Sequence, residues 1–460
     1  MDFLQTLESI TSQAASIAWG LPLLLILIGG GLYLLIRIQF LPFRYLFHAI
    51  AILRGKYDNE KDEGEISHFQ ALTTALSATV GMGNIAGVAV AISIGGPGAI
   101  FWMWVSAVIG MSTKFFTATL AILYRGKDSE GKIQGGPMYF IMEGLGKNWK
   151  PLAVLFSVSG LVGALPVFNV NQLTQAIDDI LLKPAGLSAG FQSNLVVGII
   201  LAIITGVVIL GGLSRISKTA EKLVPTMVIL YFGLVLVILG LHYEVVPYYL
   251  KLIFTEAFSA SLFKGDAFLG GVLGGLILLG IRRGAFSNEA GIGTAPMAHG
   301  AAKTNEPIRE GLVAMLGPAI DTLVICTLTA LAILVTGVWQ TSDSNGVSLT
   351  ATAFESTIPY IGKYALLVCI LIFSVSSLFS YSYYGTKCMS FLFGAEKKNI
   401  YNYFYIGSIL LGATTTLQTM LNLIDTFFAL MAIPTMTATI ILAPKVVSEA
   451  KKYFSKLKKS

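Results

Sequence analysis

The chain has 460 residues, of which 55% are hydrophobic and only 12% are charged, whereas soluble domains average about 25% charged residues. Apolar runs of about 20 residues recur along it, and that is the length a helix needs to cross a bilayer. The composition therefore excludes an ordinary soluble protein and predicts an all-α polytopic membrane protein. The formal net charge of +6 does not indicate nucleic-acid binding, because the basic residues follow the membrane topology.

The apolar runs predict eleven crossings. They lie at 20–40, 67–94, 97–124, 151–181, 194–213, 220–242, 267–302, 309–337, 362–392, 401–420 and 422–444. With the N-terminus outside, only four of the 31 Lys and Arg fall on the external side, namely Lys183, Lys251, Lys264 and Lys363. Basic residues concentrate on the cytoplasmic side of membrane proteins. We therefore expect a cytoplasmic C-terminus and contacts between the inner basic residues and anionic lipid.

Four segments are predicted to lie partly or wholly outside the bilayer. Residues 1–66 form an N-terminal segment that carries the first crossing, and its first 18 residues lack the basic start of a secretory signal. Residues 244–266 predict an external amphipathic segment. Residues 338–361 predict an external loop, and 446–460 predict a basic cytoplasmic tail.

Two of the predicted crossings are interrupted by polar, glycine-rich stretches. The first interruption is Ser77–Gly87, and the second is 281–295, which includes Arg283-Gly-Ala-Phe-Ser-Asn-Glu-Ala-Gly291. Irregular backbone inside a bilayer leaves N–H and C=O groups that are costly unless protein, water or ligand satisfies them. We therefore expect the freed groups to bind a ligand. The spacing of Gly81 and Gly83 is not a dinucleotide fingerprint, because no βαβ unit surrounds it.

The two interrupted helices are five crossings apart and begin on opposite sides of the membrane. This predicts a 5+5 inverted repeat, 67–243 and 267–445, with the first crossing as an addition. Secondary transporters with such repeats bind their substrate near the midplane, at the discontinuous helices. An ion channel of the same topology is an alternative, but the polar residues lie only at the helix centres, which favours an occluded site. No Walker-type loop or hydrolase motif is present, so we expect a transporter and not an enzyme.

Four motifs resemble the alanine/glycine–cation symporter family. They are Gly83-Asn-Ile-Ala-Gly-Val-Ala89, Gly95-Gly-Pro-Gly-Ala-Ile-Phe-Trp-Met-Trp-Val105, Gly135-Gly-Pro-Met-Tyr139 and Arg283-Gly-Ala-Phe-Ser-Asn-Glu-Ala-Gly291, within a match over about 67–440. The resemblance implies the fold of the leucine transporter (LeuT-like) and sodium-coupled uptake of alanine or glycine across a prokaryotic inner membrane. Proton coupling is the alternative. The family usually has Thr, Glu, Gly, Gly and Trp where this chain has Met82, Thr117, Phe168, Ser380 and Tyr381.

An amino-acid substrate needs partners for its carboxylate and for its ammonium. A helix N-terminus offers free N–H groups and a positive dipole end to a carboxylate, so the start of the second half-helix near Gly81 is the predicted clamp. The ammonium is expected to face the second interruption, between aromatic walls. The predicted substrate-binding residues are Thr79, Gly81, Met82, Gly83, Gln172, Phe286, Asn288 and Tyr381. The alternative is that the glycines only allow close helix packing and that Gln172 makes a structural hydrogen bond.

The shared fold implies a sodium ion between the first interrupted helix and the ninth predicted crossing, 362–392. Carbonyls of Ser77 and Val80 would face hydroxyls of Ser376 and Ser377, with Phe373 at the same site. The alternative is that these serines bond back to their own helix.

Several charged residues fall within predicted helices: Lys114, Arg282, Arg283, Glu289 and Asp321. Intramembrane charges are normally paired. They could form ion pairs that break as the protein alternates, or a static brace, and Glu289 could instead contact the substrate directly. The four histidines are scattered and predict no metal site; His299 is expected near the membrane interface.

Overall fold

The computed structural model describes residues 2–59, 61–187, 189–259, 272–342, 344–414 and 418–457. Among these residues, eight helices are long and apolar enough to cross a membrane, or nine if one bent pair counts as a single span. These nine correspond to nine of the eleven predicted crossings. The other two, 267–302 and 401–420, include residues 267–271 and 415–417, which lie outside the described residues. The exact number of crossings stays a prediction.

The first part of the chain contains seven short or medium helices. They are α1 (Asp2–Ala18), α2 (Leu21–Leu24), α3 (Gly30–Arg37), α4 (Leu41–Arg44), α5 (Leu46–Leu53), α6 (His68–Thr79) and α7 (Val88–Gly95), with π-helical turns at Leu25–Gly29 and Gly83–Gly87. The long helix α8 (Gly98–Leu123) leads to an antiparallel hairpin of β1 (Gly126–Lys127) and β2 (Ile133–Gln134), in which Gly126 pairs with Gln134.

The next helices complete the first half of the chain. They are α9 (Pro137–Leu145), α10 (Lys150–Gly163), α11 (Val167–Ile177), α12 (Phe191–Ile209), α13 (Gly212–Leu241) and α14 (Val246–Glu256). The described part of the second half contains α15 (Val272–Asn288), α16 (Ala295–His299), α17 (Pro307–Ala314), α18 (Leu316–Pro318), a π-helical stretch at Ala319–Cys326, α19 (Thr327–Val335), α20 (Val338–Thr341), α21 (Gly346–Thr357), α22 (Gly362–Phe393), α23 (Lys398–Thr414) and α24 (Gln418–Leu457).

The first predicted interruption is present between α6 and α7. Helix α6 ends at Thr79, Val80 has extended backbone angles, and the helical path beyond Gly83 is bent by 54°. In an unbroken helix the Gly81 N–H would donate to the carbonyl of Ser77. It donates instead to Asn84 Oδ1, at 2.9 Å. The Asn84 side chain therefore satisfies the Gly81 N–H, and the Ser77 carbonyl loses its usual helical donor.

The second interruption is shorter than the sequence predicted. Helix α15 continues through Asn288, so the first eight residues of 281–295 are helical and the break is confined to 289–294. The expectation that the break begins near Arg282 is wrong, because Arg is a good helix former and its long side chain can carry the charge away from the helix. Arg282 is exposed, and its guanidinium lies 5.8 Å from the centre of the Trp19 ring.

Glycine is required at the second break for two independent reasons. Gly291 and Gly293 have φ angles of 90° and 107°, which side chains other than glycine rarely adopt. A Cβ on Gly293 would also lie 2.4 Å from Thr435 Oγ1 and 2.6 Å from Phe156 Cε2. The break is therefore packed tightly between α10 and α24.

Backbone contacts tie the start of α6 to the end of the second broken helix. Ile66 forms a parallel bridge with Ala302, and the Lys303 N–H donates to the Ile66 carbonyl at 2.7 Å. Arg125, just after α8, donates hydrogen bonds to the carbonyls of Gly300 and Ala302. These contacts join the two broken helices at the side that is predicted to face the cytoplasm.

A buried carboxylate strengthens the same junction. Glu310 on α17 hydrogen-bonds the Nδ1 atoms of His68 on α6 and His299 on α16. All three side chains are buried inside the protein, and the expectation that His299 lies near the membrane interface stays a prediction. A buried charge is tolerated when it is paired and hydrogen-bonded, and two imidazoles supply that here.

Two segments are more ordered than the sequence suggested. Residues 338–361, expected to be a loop, contain α20 and α21, because Val347, Thr350 and Phe354 recur at helical spacing and are buried. The segment 446–457, expected to be a free tail, continues α24, and Tyr453 Oη bonds His48 Nε2 at 2.6 Å. Residues 458–460 of that tail, and 260–266 of the external segment, lie outside the described residues.

We predict that Gly293→Ala lowers the stability of the folded protein by about 1–3 kcal/mol from backbone strain, with a further loss from overpacking. Thermal unfolding of the purified protein in detergent measures this. The control is Gly407→Ala on α23, where a Cβ would meet nothing within 4 Å. Equal melting temperatures for the two variants would contradict the packing described for the second break.

Candidate functional site

A cavity lies where the two interruptions meet α11, α22 and α24. Its cavity volume is about 50 Å³, and a cavity needs roughly 10–15 Å³ to hold one water molecule. The cavity therefore holds a few waters or one very small solute. Besides residues of the predicted substrate-binding set, it is lined by Ala78, Gly163, Leu165, Phe168, Asn169, Ser287, Glu289, Ile424, Asp425 and Phe428.

Most of the residues predicted to bind substrate lie together on this cavity. Six of the eight line it: Thr79, Gly81, Met82, Gly83, Phe286 and Tyr381. They come from α6, the first interruption, α15 and α22, which are far apart in the chain. The fold therefore assembles one small cavity from both broken helices and α22, which corresponds to the ninth predicted crossing.

Asn288 and Gln172 do not line the cavity in this structure. Asn288 is fully buried, and its Oδ1 accepts the Ala290 N–H at 3.0 Å, so it caps the end of α15. Gln172 donates to Gln175 at 3.4 Å. Asn169, one turn earlier on the same face of α11, lines the cavity instead. The sequence pattern indicated the correct face but not the depth along the helix.

Glu289 places a carboxylate at the wall of the cavity. The side chain is 3% exposed and accepts hydrogen bonds from Thr294 and Tyr381. Its backbone has a φ of 54°, which is uncommon for a residue with a side chain and often marks a functional constraint. The left-handed turn at Glu289 ends α15 and directs the carboxylate into the space between the two breaks.

The five residues assigned to sodium are close neighbours. Ser77 Oγ donates to the Ser376 carbonyl at 2.6 Å. The hydroxyls of Ser376 and Ser377 donate to the Phe373 carbonyl at 2.9 and 3.0 Å, which is the bonding back to their own helix that was the alternative. A Cβ on Gly81 would lie 2.9 Å from Ser377 Oγ, and Val80, which precedes Gly81 in the chain, is fully buried.

Asp321 connects the first interruption to the end of α15. Its carboxylate accepts from Asn84 Nδ2 at 2.7 Å, Ser287 Oγ at 2.8 Å and Thr322 Oγ1 at 2.7 Å. The side chain is fully buried. Lys114, buried on α8, interacts electrostatically with both Asp321 and Glu289. Asp321 therefore joins three elements through neutral hydrogen-bond donors.

Charges of opposite sign face each other at the other side of the cavity. Asp425 on α24 lines the cavity, and its carbonyl accepts from Trp19 Nε1 at 3.1 Å. Arg282 and Arg283 interact electrostatically with the Asp425 carboxylate. Within the described residues, neither arginine forms an ion pair with it below 4 Å. Sequence reasoning missed Asp425, although an acid in the last apolar run is itself a signal.

Comparison with known proteins agrees with this architecture. The chain matches the sodium:alanine symporter family over residues 4–460. It is 40% identical over 460 residues to the sodium/alanine symporter AgcS of Methanococcus maripaludis, with 98% of each chain covered. It is 36% identical over 461 residues to the probable sodium/glutamine symporter GlnT of Bacillus subtilis, covering 99% of this chain and 92% of GlnT.

A solved structure shares the fold. The crystal structure of MhsT in complex with L-phenylalanine matches with a TM-score of 0.59 at 15% identity, covering 83% of this chain and 89% of MhsT. This likeness shows the leucine-transporter fold, and the family predicted from the four motifs is confirmed. The chain is a multi-pass membrane transporter and not an enzyme, and it belongs to the sodium:alanine symporter family.

Proposed function

We propose that the protein is a sodium-coupled symporter that carries alanine or glycine into the cell by alternating access. The observation that supports this most directly is the small cavity between the two broken helices. Backbone N–H groups released by the first interruption lie on one wall, and the Glu289 carboxylate lies on another. A small zwitterion has the two charges that these walls complement.

The first interruption is proposed to bind the substrate carboxylate. In an unbroken helix the N–H groups of Met82 and Gly83 would pair with the carbonyls of Ala78 and Thr79. The bend removes those partners and leaves the donors at the start of a helix, where the dipole favours an anion. A Cβ on Gly83 would meet nothing closer than 3.8 Å. Close helix packing therefore does not explain this glycine, whereas access of a ligand to its backbone does.

Glu289, in place of Asn288, is proposed as the partner of the substrate ammonium. An ionised carboxylate in a cavity shielded from water interacts strongly with a cation. Tyr381 and Thr294 hold this carboxylate in position. The wall around it is aromatic: the ring centroid of Phe286 lies 6.0 Å from that of Phe168 and 6.1 Å from that of Phe428. Phe168 stands where the family usually has Gly, which favours the smallest substrates.

Sodium is proposed to bind between Ser77 and Val80 on one side and Phe373, Ser376 and Ser377 on the other. The hydroxyls of Ser376 and Ser377 now bond to their own helix, and rotation about χ1 would turn their oxygens toward an ion. A sodium ion moving down a potential of 100 mV supplies about 2.3 kcal/mol. That alone supports roughly 50-fold accumulation of substrate, since 1.4 kcal/mol is tenfold.

The same proposal includes the orientation in the membrane. The N-terminus lies outside and the C-terminus in the cytoplasm of a prokaryotic cell, with repeats 67–243 and 267–445 inverted relative to each other. The positive-inside distribution of Lys and Arg supports this orientation. The contacts that join Ile66 to Ala302 would then close the cytoplasmic side.

Uptake of radiolabelled alanine into proteoliposomes tests the function. We expect an imposed sodium gradient to drive accumulation, and its replacement by choline to abolish it. Unlabelled glycine should compete better than glutamine, because the cavity is small. Equal uptake driven by a pH gradient without sodium would contradict sodium coupling and favour the proton-coupled alternative.

We predict that Glu289→Gln raises the external alanine concentration for half-maximal uptake about 10- to 100-fold, because a charge-assisted hydrogen bond contributes about 1.5–3 kcal/mol. Sodium dependence should change little. The matched control is Glu143→Gln, at an exposed position on α9, which should leave uptake unchanged. Wild-type affinity in Glu289→Gln would remove this residue from the substrate site.

We predict that Ser377→Ala raises the sodium concentration for half-maximal uptake about tenfold, the effect of losing about 1.4 kcal/mol of ion binding. Ser408→Ala is the control, because Ser408 on α23 is also buried and bonds back to its own helix, to the Tyr405 carbonyl at 2.7 Å. Unchanged sodium dependence in Ser377→Ala, or an equal change in both variants, would exclude Ser377 as an ion ligand.

A further inference from the structure

A second, larger cavity lies near the hairpin of β1 and β2, on the side that carries most of the basic residues. Its cavity volume is about 340 Å³. Charged groups of both signs line it, together with amides and hydroxyls; they include Glu65, Asp128, Gln134, Tyr383, Lys387 and Lys398. The transport site described above does not use any of these groups.

Lys387 is a buried ammonium without a carboxylate partner. Its side chain is 6% exposed, and Nζ lies 5.2 Å from the centre of the Tyr383 ring. Among the residues that the structure describes, no carboxylate oxygen lies within 4 Å of it. A buried cation that contacts an aromatic face but no carboxylate oxygen directly is costly unless an anion can reach it.

Gln134 adds an unsatisfied acceptor to the lining. Gln134 is 8% exposed; its Nε2 donates to Asp128 Oδ2 at 2.7 Å, whereas its Oε1 is buried without a partner. Glu65 adds a second carboxylate to the lining. The lining therefore includes a buried cation as well as carboxylate and amide oxygens, and a small zwitterion has groups that complement both.

The second cavity follows the first along one helix. Tyr381 lines the substrate cavity, while Tyr383 and Lys387 line the second. At 1.5 Å per residue, Lys387 lies about 9 Å further along α22 than Tyr381. Tyr383 Oη donates to the Met297 carbonyl on α16 at 3.3 Å, so a residue that lines the second cavity is hydrogen-bonded to a broken helix.

We propose that this second cavity, here named the inner chamber, binds the transported amino acid after it leaves the first cavity and before it reaches the cytoplasm. Lys387 binds the substrate carboxylate, and Asp128 and Glu65 face its ammonium. The inference rests on the proposed function, because it takes its ligand from there. It adds a second binding site for the same zwitterion, reached from the cytoplasmic side.

Alanine exchange in proteoliposomes of uniform orientation tests this. External labelled alanine exchanges against unlabelled internal alanine, and the half-saturating concentration is measured separately for each side. We expect Lys387→Met to raise the internal value about tenfold or more, the loss of one charge-assisted hydrogen bond. The external value should stay within about twofold of wild type, because the variant leaves the first cavity intact.

Three further variants sharpen the experiment. Lys387→Arg keeps the charge and should retain most of the internal affinity. Lys397→Met removes a neighbouring exposed lysine and should change neither side. Gln134→Leu removes the unsatisfied amide oxygen of the lining and should raise the internal value selectively, which keeps the test decisive if Lys387→Met folds poorly.

The outcomes separate the two claims. If Lys387→Met and Gln134→Leu both exchange alanine as the wild type does, with an unchanged half-saturating internal concentration, the inner chamber alone is overturned. An equal shift on both sides also overturns it, since that is the effect of a general defect. A wild-type protein that does not exchange alanine overturns the proposed function and this inference with it.

Discussion

The structure depends on one constraint: a backbone that leaves the helix inside a bilayer must find other partners for its N–H and C=O groups. Asparagine side chains supply some of them. Asn84 accepts the Gly81 N–H, and Asn288 accepts the Ala290 N–H. Asn84 also donates to Asp321, whose carboxylate holds Ser287 at the end of α15. These hydrogen bonds hold both breaks, and residues of both breaks line one small cavity.

The two sides of this cavity differ in how firmly they are held. Toward the basic face, Ile66 is bridged to Ala302 and Glu310 is hydrogen-bonded by two histidines. At the other side, Arg282 and Asp425 face each other without direct contact. A transporter that alternates must break the first set of contacts when it closes the second. The buried junction at Glu310, with its two histidine partners, makes the contacts on the Ala302 side the more extensive of the two in this structure.

The sequence predicted the positions of most helices well. It predicted less well how far along a helix a site residue lies and where local turns end a helix. Apolar runs located the helices, and the glycine-rich stretch that contains Gly81 and Gly83 marked the first break. The start of the second break was misplaced because Arg282 and Arg283 are polar yet helix-forming, and only the left-handed turn at Glu289 ends α15. Contacts such as the hydrogen bond from Tyr381 to Glu289 join residues that are 92 positions apart in the chain, and no local sequence pattern encodes such contacts.

The central claim is that loosened backbone at the two breaks binds the amino acid. A structure of the protein with alanine and sodium bound tests it most directly. The account predicts the alanine carboxylate within about 3 Å of the Met82 and Gly83 nitrogens, a usual hydrogen-bond distance, with the ammonium beside Glu289. Alanine bound away from both breaks, with Gly81 to Gly83 drawn into a continuous helix, would contradict it.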